Sequence, residues 1–458
     1  MGTTLVRIRD PFLLAFAALV VHALPFLLYS SHPLGYDTGF YRRYLTQPFT
    51  SFPNAAVPGL GTDALLPRVL LDTLRAFSVP TDIALYGSYI VFFTLLPMFF
   101  YYWLRPYLGA RGALIGGMLL ALSPVGYTAF WYMLYKNAFA LLLVLLAFIT
   151  YERRQFWPVV VLDVAIALSH KTSAIIYLTT LGMLLLVDRT RWKESLVHGF
   201  VTGSCVLFLL LSSGSAVSPQ SFGTNAVAVF LNWSEYLTFS LPLGIAAGVA
   251  LLYWREITIP KTLLAFALAS FAFPVLRLPF YERIFVFTDL ALVAFAAYGI
   301  QLLLANLRFD NERWTPYGYF VVLCIITGLH VGNLQSRVTH LQPLVTPEKL
   351  GQIAAIGTQL PPDSLLLTSN FEAPWYEGWT LSHIAAPGML HDTHNYEEWV
   401  QFWESTSTPY QITYLNTYPK PLYVSTLADV TELINTPPSC LTKISVNLLR
   451  NDCEWSAN

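Results

Sequence analysis

Asp37 lies within Gly35-Tyr36-Asp37-Thr38-Gly39-Phe40-Tyr41, a few residues after a long apolar run. A carboxylate at the lip of a membrane cavity can act as a general base, taking a proton from an attacking hydroxyl. The same position suits an N-cap for a short helix over Thr38–Leu45, and position alone leaves both roles open. Cations stand in similarly tight places. Lys136 lies in Tyr135-Lys136-Asn137, and His170 and Lys171 lie in Ser169-His170-Lys171-Thr172; each group interrupts an otherwise apolar stretch. Arg42, Arg277 and Arg283 also sit beside apolar runs. Ionisable groups at membrane depth are costly and by default mark function. Drawn from separate turns, these cations can converge on one anion, and a lipid phosphate is the natural one. The bland alternatives are snorkelling of long side chains to headgroups and, for His170, the capping of a broken span.

The elements that must position these residues follow from composition. Of 458 residues, 55% are hydrophobic and only 12% charged, with mean hydropathy +0.53. A soluble protein carries about 25% charged residues. A soluble enzyme, a nucleic-acid binder and a disordered scaffold are excluded, and a multi-pass membrane protein is expected. Apolar stretches fall near 11–30, 83–104, 113–130, 137–151, 157–169, 173–187, 197–212, 241–254, 262–276, 285–305 and 316–333. The first reads as a retained signal-anchor. Eleven spans with a cytoplasmic N-terminus put Arg105 and Arg111, Arg153 and Arg154, Arg189, Arg191 and Lys193, Arg255 and Lys261, and Arg308 and Arg313 on inner connections, as the positive-inside rule asks. Arg42, Arg43, Arg68, Arg75, Lys136, Lys171, Arg277 and Arg283 are then outer cations.

Charge divides the chain near residue 340. Residues 1–340 hold 22 Lys+Arg against 15 Asp+Glu, and residues 341–458 hold 4 against 12. A membrane domain (1–340) with a first outer loop (31–82) should therefore precede an acidic, water-soluble domain (341–458) on the outer side. Within the loop, Leu66, Leu70 and Leu74 recur at helical spacing, a pattern for a helix lying along the membrane surface. Asp163 and Asp289 fall inside apolar stretches, where they read best as polar glue between helices. Asp163 shares a helix face with His170, and Asp289 is placed to reach a base such as Arg283.

The C-terminal segment reads as a small α/β domain. Its pattern predicts helices near 346–358 and 395–405 and strands at Ser364–Thr368, Gln411–Leu415 and Pro421–Ser425. Cys440 and Cys453 permit a disulfide on an oxidising side, whereas Cys205 and Cys324 lie in apolar runs; no pair has metal-ligand spacing. Trp375, Tyr376 and Trp379 beside acidic residues suggest an acceptor surface. Trp399 and Trp403, four apart, read as core.

With the first-loop Asp, the broken spans and the outer domain in view, the chain resembles the GT-C superfamily of membrane glycosyltransferases, which includes protein O-mannosyltransferases, aminoarabinose transferases and oligosaccharyltransferase catalytic subunits. Gly35-Tyr36-Asp37-Thr38-Gly39-Phe40-Tyr41 is similar to the first-loop acidic motif of that superfamily. Ala167-Leu168-Ser169-His170-Lys171-Thr172 is similar to its mid-chain Thr/Ser-Lys or Thr-His element. Tyr281-Glu282-Arg283, followed by an apolar run to Gly299, resembles its Arg-led late span.

The resemblance implies an α-helical polytopic membrane fold of about eleven helices with a small extracytoplasmic α/β domain. It also implies a polyprenyl-phosphate sugar donor and transfer to a protein, glycan or lipid acceptor with inversion. Asp37 would be the base, with Lys136, His170, Lys171, Arg277, Arg283 and Arg42 on the donor phosphate and Trp375, Tyr376 and Trp379 on the acceptor. The mannosyltransferase pair of adjacent acidic residues is missing, since Thr38 follows Asp37. No Asp-x-Asp stands in an outer loop, so a monosaccharide-transferring member without a cofactor is favoured, with a divalent metal left open. Membrane lipids are expected partners and nucleic acid is not. A prokaryotic plasma membrane is the expected location. The competing classes are a secondary transporter of an anionic or lipid-linked solute, a lipid-linked polysaccharide polymerase or ligase, and a catalytically inactive scaffold.

Overall fold

A computed structural model describes residues 2–29, 34–46, 65–212, 231–255, 258–278, 281–306, 315–362, 364–386, 394, 396–405, 407–427 and 439–453. The chain packs as two compact units. The first is built mainly from residues up to Leu34 and from Tyr86 to Gln342, and the second from Gly35 onward in the first loop, Arg68–Leu85 and the segment after Pro343. The second unit thus recruits parts of the first loop that the charge pattern assigns to the membrane domain.

In chain order the helices are α1 (Gly2–Leu28), α2 (Thr38–Thr46), α3 (Leu65–Ala76), α4 (Ser88–Ala121), α5 (Pro124–Trp131), α6 (Tyr135–Glu152), α7 (Phe156–Ser169), α8 (Lys171–Val187) and α9 (Trp192–Ser212). Next come α10 (Trp233–Leu252), α11 (Lys261–Val275), α12 (Tyr281–Asn306) and α13 (Thr315–His340). Apart from α2 and most of α3, these form the first unit, in which α12 packs against α10, α4 and α11, and α1 lies along α4. Among the described residues each of the eleven apolar stretches is mostly helical. Six helical stretches among the described residues are long and apolar enough to cross a membrane: Arg9–Leu28, Ile83–Ala121, Tyr135–Glu152, Trp233–Leu252, Tyr281–Ala305 and Phe320–His340. The helices α7, α8 and α11 are apolar but shorter. The protein is an α-helical, multi-pass membrane protein.

Local chemistry explains the breaks. The stretches 83–104 and 113–130 become one long helix and a short one. The long helix, α4, is interrupted at Gly109, whose φ of 66° is open to a residue without Cβ. The short helix starts at Ser123-Pro124, where the Ser123 hydroxyl caps the Gly126 amide at 2.9 Å and Pro occupies the first turn. Asn232 caps α10 in a full capping box with Glu235, so the Asn of the formal sequon Asn232-Trp233-Ser234 serves as a helix cap.

The second unit is an α/β domain. After α14 (Pro347–Gln359) come β1 (Leu365–Leu367), α15 (Ala373–Trp379), β2 (His383–Ala385), α16 (Tyr396–Glu404), α17 (Thr408–Leu415), β3 (Leu422–Ser425), β4 (Leu441–Ser445) and β5 (Leu448–Asn451). The sheet order is β2-β1-β3-β5-β4. β1 is parallel to β2 and β3, in register Leu366↔Ile384 and Leu366↔Tyr423, while β5 runs antiparallel to β3 and β4. Alternation along β1 separates two cores. Leu366 joins Ile353, Ile356, Trp375, Tyr376 and, from the first loop, Phe40. Leu365 and Leu367 join Trp399, Phe402, Tyr414 and Leu415.

Helix α14 matches its predicted range and is capped by Thr346. The strand expected at Gln411–Leu415 is instead α17. Pro409 starts a helix, and the buried positions Gln411, Tyr414 and Leu415 follow helical rather than alternate spacing. Cys440 and Cys453 are joined by a disulfide and flank the β4–β5 hairpin.

Candidate functional site

In the first unit the site is built on a helix break. His170 has φ −164° and ψ 122°, extended backbone that ends α7 and starts α8. Its Nδ1 accepts the Ser173 amide at 3.3 Å and lies 2.9 Å from Ser173 Oγ. With Nδ1 accepting, the ring proton of a neutral imidazole sits on Nε2. The ring is buried, 6% exposed. Three cations act electrostatically on it: Lys136, Arg283 and Lys171.

Each of these cations lies in the first turn of a helix. Lys171 is the first residue of α8, Lys136 the second of α6, and Arg283 the third of α12. The unpaired amides and the dipole at a helix N-terminus favour an anion, so side-chain and backbone charge reinforce one another. The turn before α6 is tight: Met133 is left-handed at φ 59°, and the Leu134 amide donates back to the Ala129 carbonyl at 3.3 Å. Lys136, Lys171 and Arg283, from three separate turns, thus all act on one histidine.

Arg277 is placed differently. It is exposed, left-handed at φ 49°, and closes α11 as the Leu278 amide donates to the Phe273 carbonyl at 2.9 Å. Glycine normally fills such a position, and a non-glycine residue held there carries strain on the order of 1 kcal/mol. Its charge acts on Tyr281 at the start of α12.

Asp163 and Asp289 are interior groups. Asp163 accepts from the Tyr177 hydroxyl at 2.8 Å and lies 2.7 Å from His198 Nδ1, which joins α7, α8 and α9. Asp289 accepts from Ser123 Oγ at 2.7 Å, a contact between α12 and the cap of α5.

In the second unit Asp37 is half-buried and immediately precedes α2, its carbonyl accepting the Tyr41 amide at 3.3 Å. It occupies the N-cap position of α2. Burial and the Asp37 charge push the Tyr36 phenol above its ordinary range, and the Tyr36 hydroxyl donates to the Asn370 carbonyl. The helix after Asp37 is gripped by α15. A Cβ on Gly39 would stand 1.5 Å from the Pro374 carbonyl oxygen, and one on Gly378 would stand 2.6 Å from Gly39 Cα.

Arg43 is buried, pairs with Glu377 at 3.8 Å, and donates to the Thr380 carbonyl. Burial raises the Glu377 carboxyl to about 7 despite Arg43. Arg42 donates to the Gly378 carbonyl at 2.6 Å, stacks over Trp379 at 4.4 Å and lies 3.5 Å from Asp82. These contacts account for its place within the second unit.

Of the three expected acceptor aromatics, Trp375 and Tyr376 are fully buried. Tyr376 shares a 2.7 Å hydrogen bond with Ser425. Both are core, because α15 turns them toward β1. Trp379 is half-buried. Sequence reasoning listed Arg43 only as an outer cation and did not single out Glu377. No local pattern signals a partner 334 residues away. Among the described residues no three His, Cys, Asp or Glu gather as a metal site.

No family model and no curated protein matches the sequence. Solved structures do match in fold. The apo oligosaccharyltransferase of Archaeoglobus fulgidus aligns with TM-score 0.65 at 11% identity, over 91% of this chain and 69% of that one. ArnT of Cupriavidus metallidurans bound to undecaprenyl phosphate aligns with TM-score 0.61 at 13% identity, over 96% and 97%. The oligosaccharyltransferase tethered to an acceptor peptide containing the NVT sequon gives 0.62 at 12%, over 91% and 68%.

Proposed function

We propose that this chain, which has the GT-C fold, is a membrane glycosyltransferase moving a sugar from a polyprenyl-phosphate donor to an acceptor hydroxyl or amide. The observation that carries the reading is the set of three cations, each in the first turn of a helix, whose charges all act on His170. Such a focus suits a phosphate whose carrier is a lipid, and the fold match to ArnT, whose structure holds undecaprenyl phosphate, supports that choice.

In the proposed reaction Asp37 takes the proton from the acceptor, whose freed atom attacks the anomeric carbon. The bond from that carbon to the phosphate oxygen breaks, and the polyprenyl phosphate leaves with its new charge held by Lys136, Lys171 and Arg283. One displacement inverts the anomeric centre and needs no covalent enzyme nucleophile. Nε2–H of His170 donates to the same phosphate. Trp379 is the aromatic assigned to the acceptor. The Cys440–Cys453 disulfide supports an oxidising outer side for the second unit; we assign the N-terminus to the cytoplasm and the chain to a prokaryotic plasma membrane.

The test uses the purified full chain in liposomes with radiolabelled polyprenyl-phosphate sugars. Turnover of one donor, lost in Asp37→Asn and in Lys171→Ala while both variants stay folded, is the expected result. Turnover that persists in Asp37→Asn would remove Asp37 as the base. Failure of every donor with folded protein would abandon the transferase reading.

A further inference from the structure

A second polar site lies inside the helical unit. Asp289 of α12 and His22 of α1 both line one small cavity, walled otherwise by apolar side chains that include Phe93, Pro97 and Leu141. They are 2% and 3% exposed. Each already has one fixed partner. The Ala18 carbonyl, which can only accept, lies 2.7 Å from His22 Nδ1, so Nδ1 carries a proton. Asp289 Oδ2 accepts from Ser123 Oγ at 2.7 Å. The remaining atoms, His22 Nε2 and Asp289 Oδ1, are buried without a hydrogen-bond partner in the protein. The His22 ring is held between Phe93 and Phe130, at 4.8 and 4.7 Å, so it is not free to seek another.

We infer that this cavity is a binding site for one water molecule bridging His22 Nε2 and Asp289 Oδ1. About 20 Å³ of it is open to the centre of a water molecule, and one ordered water needs about 10–15 Å³ so measured. The chemistry selects water over a metal cation. With neutral imidazole and carboxylate, both atoms are acceptors and water donates to each. With a protonated carboxyl, Oδ1 donates to the water, which donates to Nε2. With imidazolium, the relay runs the other way. Water completes every one of these states because it donates and accepts, whereas a sodium ion serves only the first. The bridge ties α1 to α12 and, through Ser123, to the start of α5. It is independent of the proposed transfer reaction.

Radiolytic hydroxyl footprinting of the full chain in detergent, read by mass spectrometry after rapid mixing into ¹⁸O water, tests this. A trapped water oxidises its neighbours from within, so His22 or Phe93 should be labelled with retained ¹⁶O despite burial. Asp289→Leu should lose that label and keep those on exposed residues. Absence of labelling at His22, Phe93 and Pro97 in the wild type, at doses that oxidise exposed methionines and tyrosines, would overturn the site. Should Asp289→Leu fail to fold, the wild-type labelling decides alone. A parallel arm compares thermal unfolding in sodium chloride and choline chloride at equal ionic strength. Equal unfolding temperatures are expected, and a saturable rise with sodium would overturn water in favour of a cation.

Discussion

Gly39 and Gly378 meet backbone to backbone where α2 crosses α15, a Cβ on the second falling 2.6 Å from the Cα of the first. No side chain fits on either face of that crossing. Gly39→Ala should therefore separate the helices and destabilise the second unit by about 1–3 kcal/mol. Tryptophan fluorescence during thermal unfolding reads the change directly, since Trp375 and Trp379 lie on α15.

Arg43 and Glu377 lock the same crossing and make it sensitive to pH. The folded Glu377 carboxyl is raised from 4.5 to about 7, so the folded state favours the protonated form. Its contribution is complete below the unfolded value and is lost as pH rises through about 7. The second unit should thus be more stable near pH 4.5 than near pH 7.5, by a term on the order of 3 kcal/mol. Glu377→Gln should flatten that dependence. A slope that survives the substitution would assign it to other groups.

At the cation site, charge and not bulk should matter. Lys171→Ala and Arg283→Ala should each lower transfer about 10²–10³-fold, with Lys171→Arg falling less. Their effects should not add in the double variant, because both act on one anion. Single-turnover assays with saturating lipid donor separate loss of chemistry from loss of binding.

The Asp163–His198 contact is a structural counterpart. His198→Ala leaves a carboxylate buried with fewer partners, and the helical unit should lose about 3–5 kcal/mol. His198→Gln, which can still donate, should lose less. Thermal unfolding in detergent measures both, and transfer by the folded fraction should be unchanged.

Much of this arrangement was legible one element at a time. Apolar runs located every helix of the first unit, and charges in tight turns marked Lys136, His170 and Lys171, since a cation between apolar segments has few structural reasons to be there. What stayed illegible was pairing across distance. Nothing near Arg43 points to Glu377, and nothing near Trp375 says that it faces β1 and not solvent. Gln411–Leu415 misled for a local reason: Ile412 and Tyr414 alternate like a strand, while the buried set follows a helical turn. The β4–β5 hairpin escaped notice because Lys443 and Arg450 dilute its apolar pattern.

The crossing of α2 on α15 also imposes a schedule. The ribosome makes Gly39 well before Gly378, with six membrane-crossing helical stretches among the residues between or flanking them. At about 5–20 residues per second, the first-loop helix waits roughly 20 to 70 seconds for its partner. During that interval Phe40 and the Arg43 guanidinium have no α15 to cover them, while the intervening helices are inserted. The second unit therefore cannot close until α15 is made, and a chain stalled before that point would expose the surface made first.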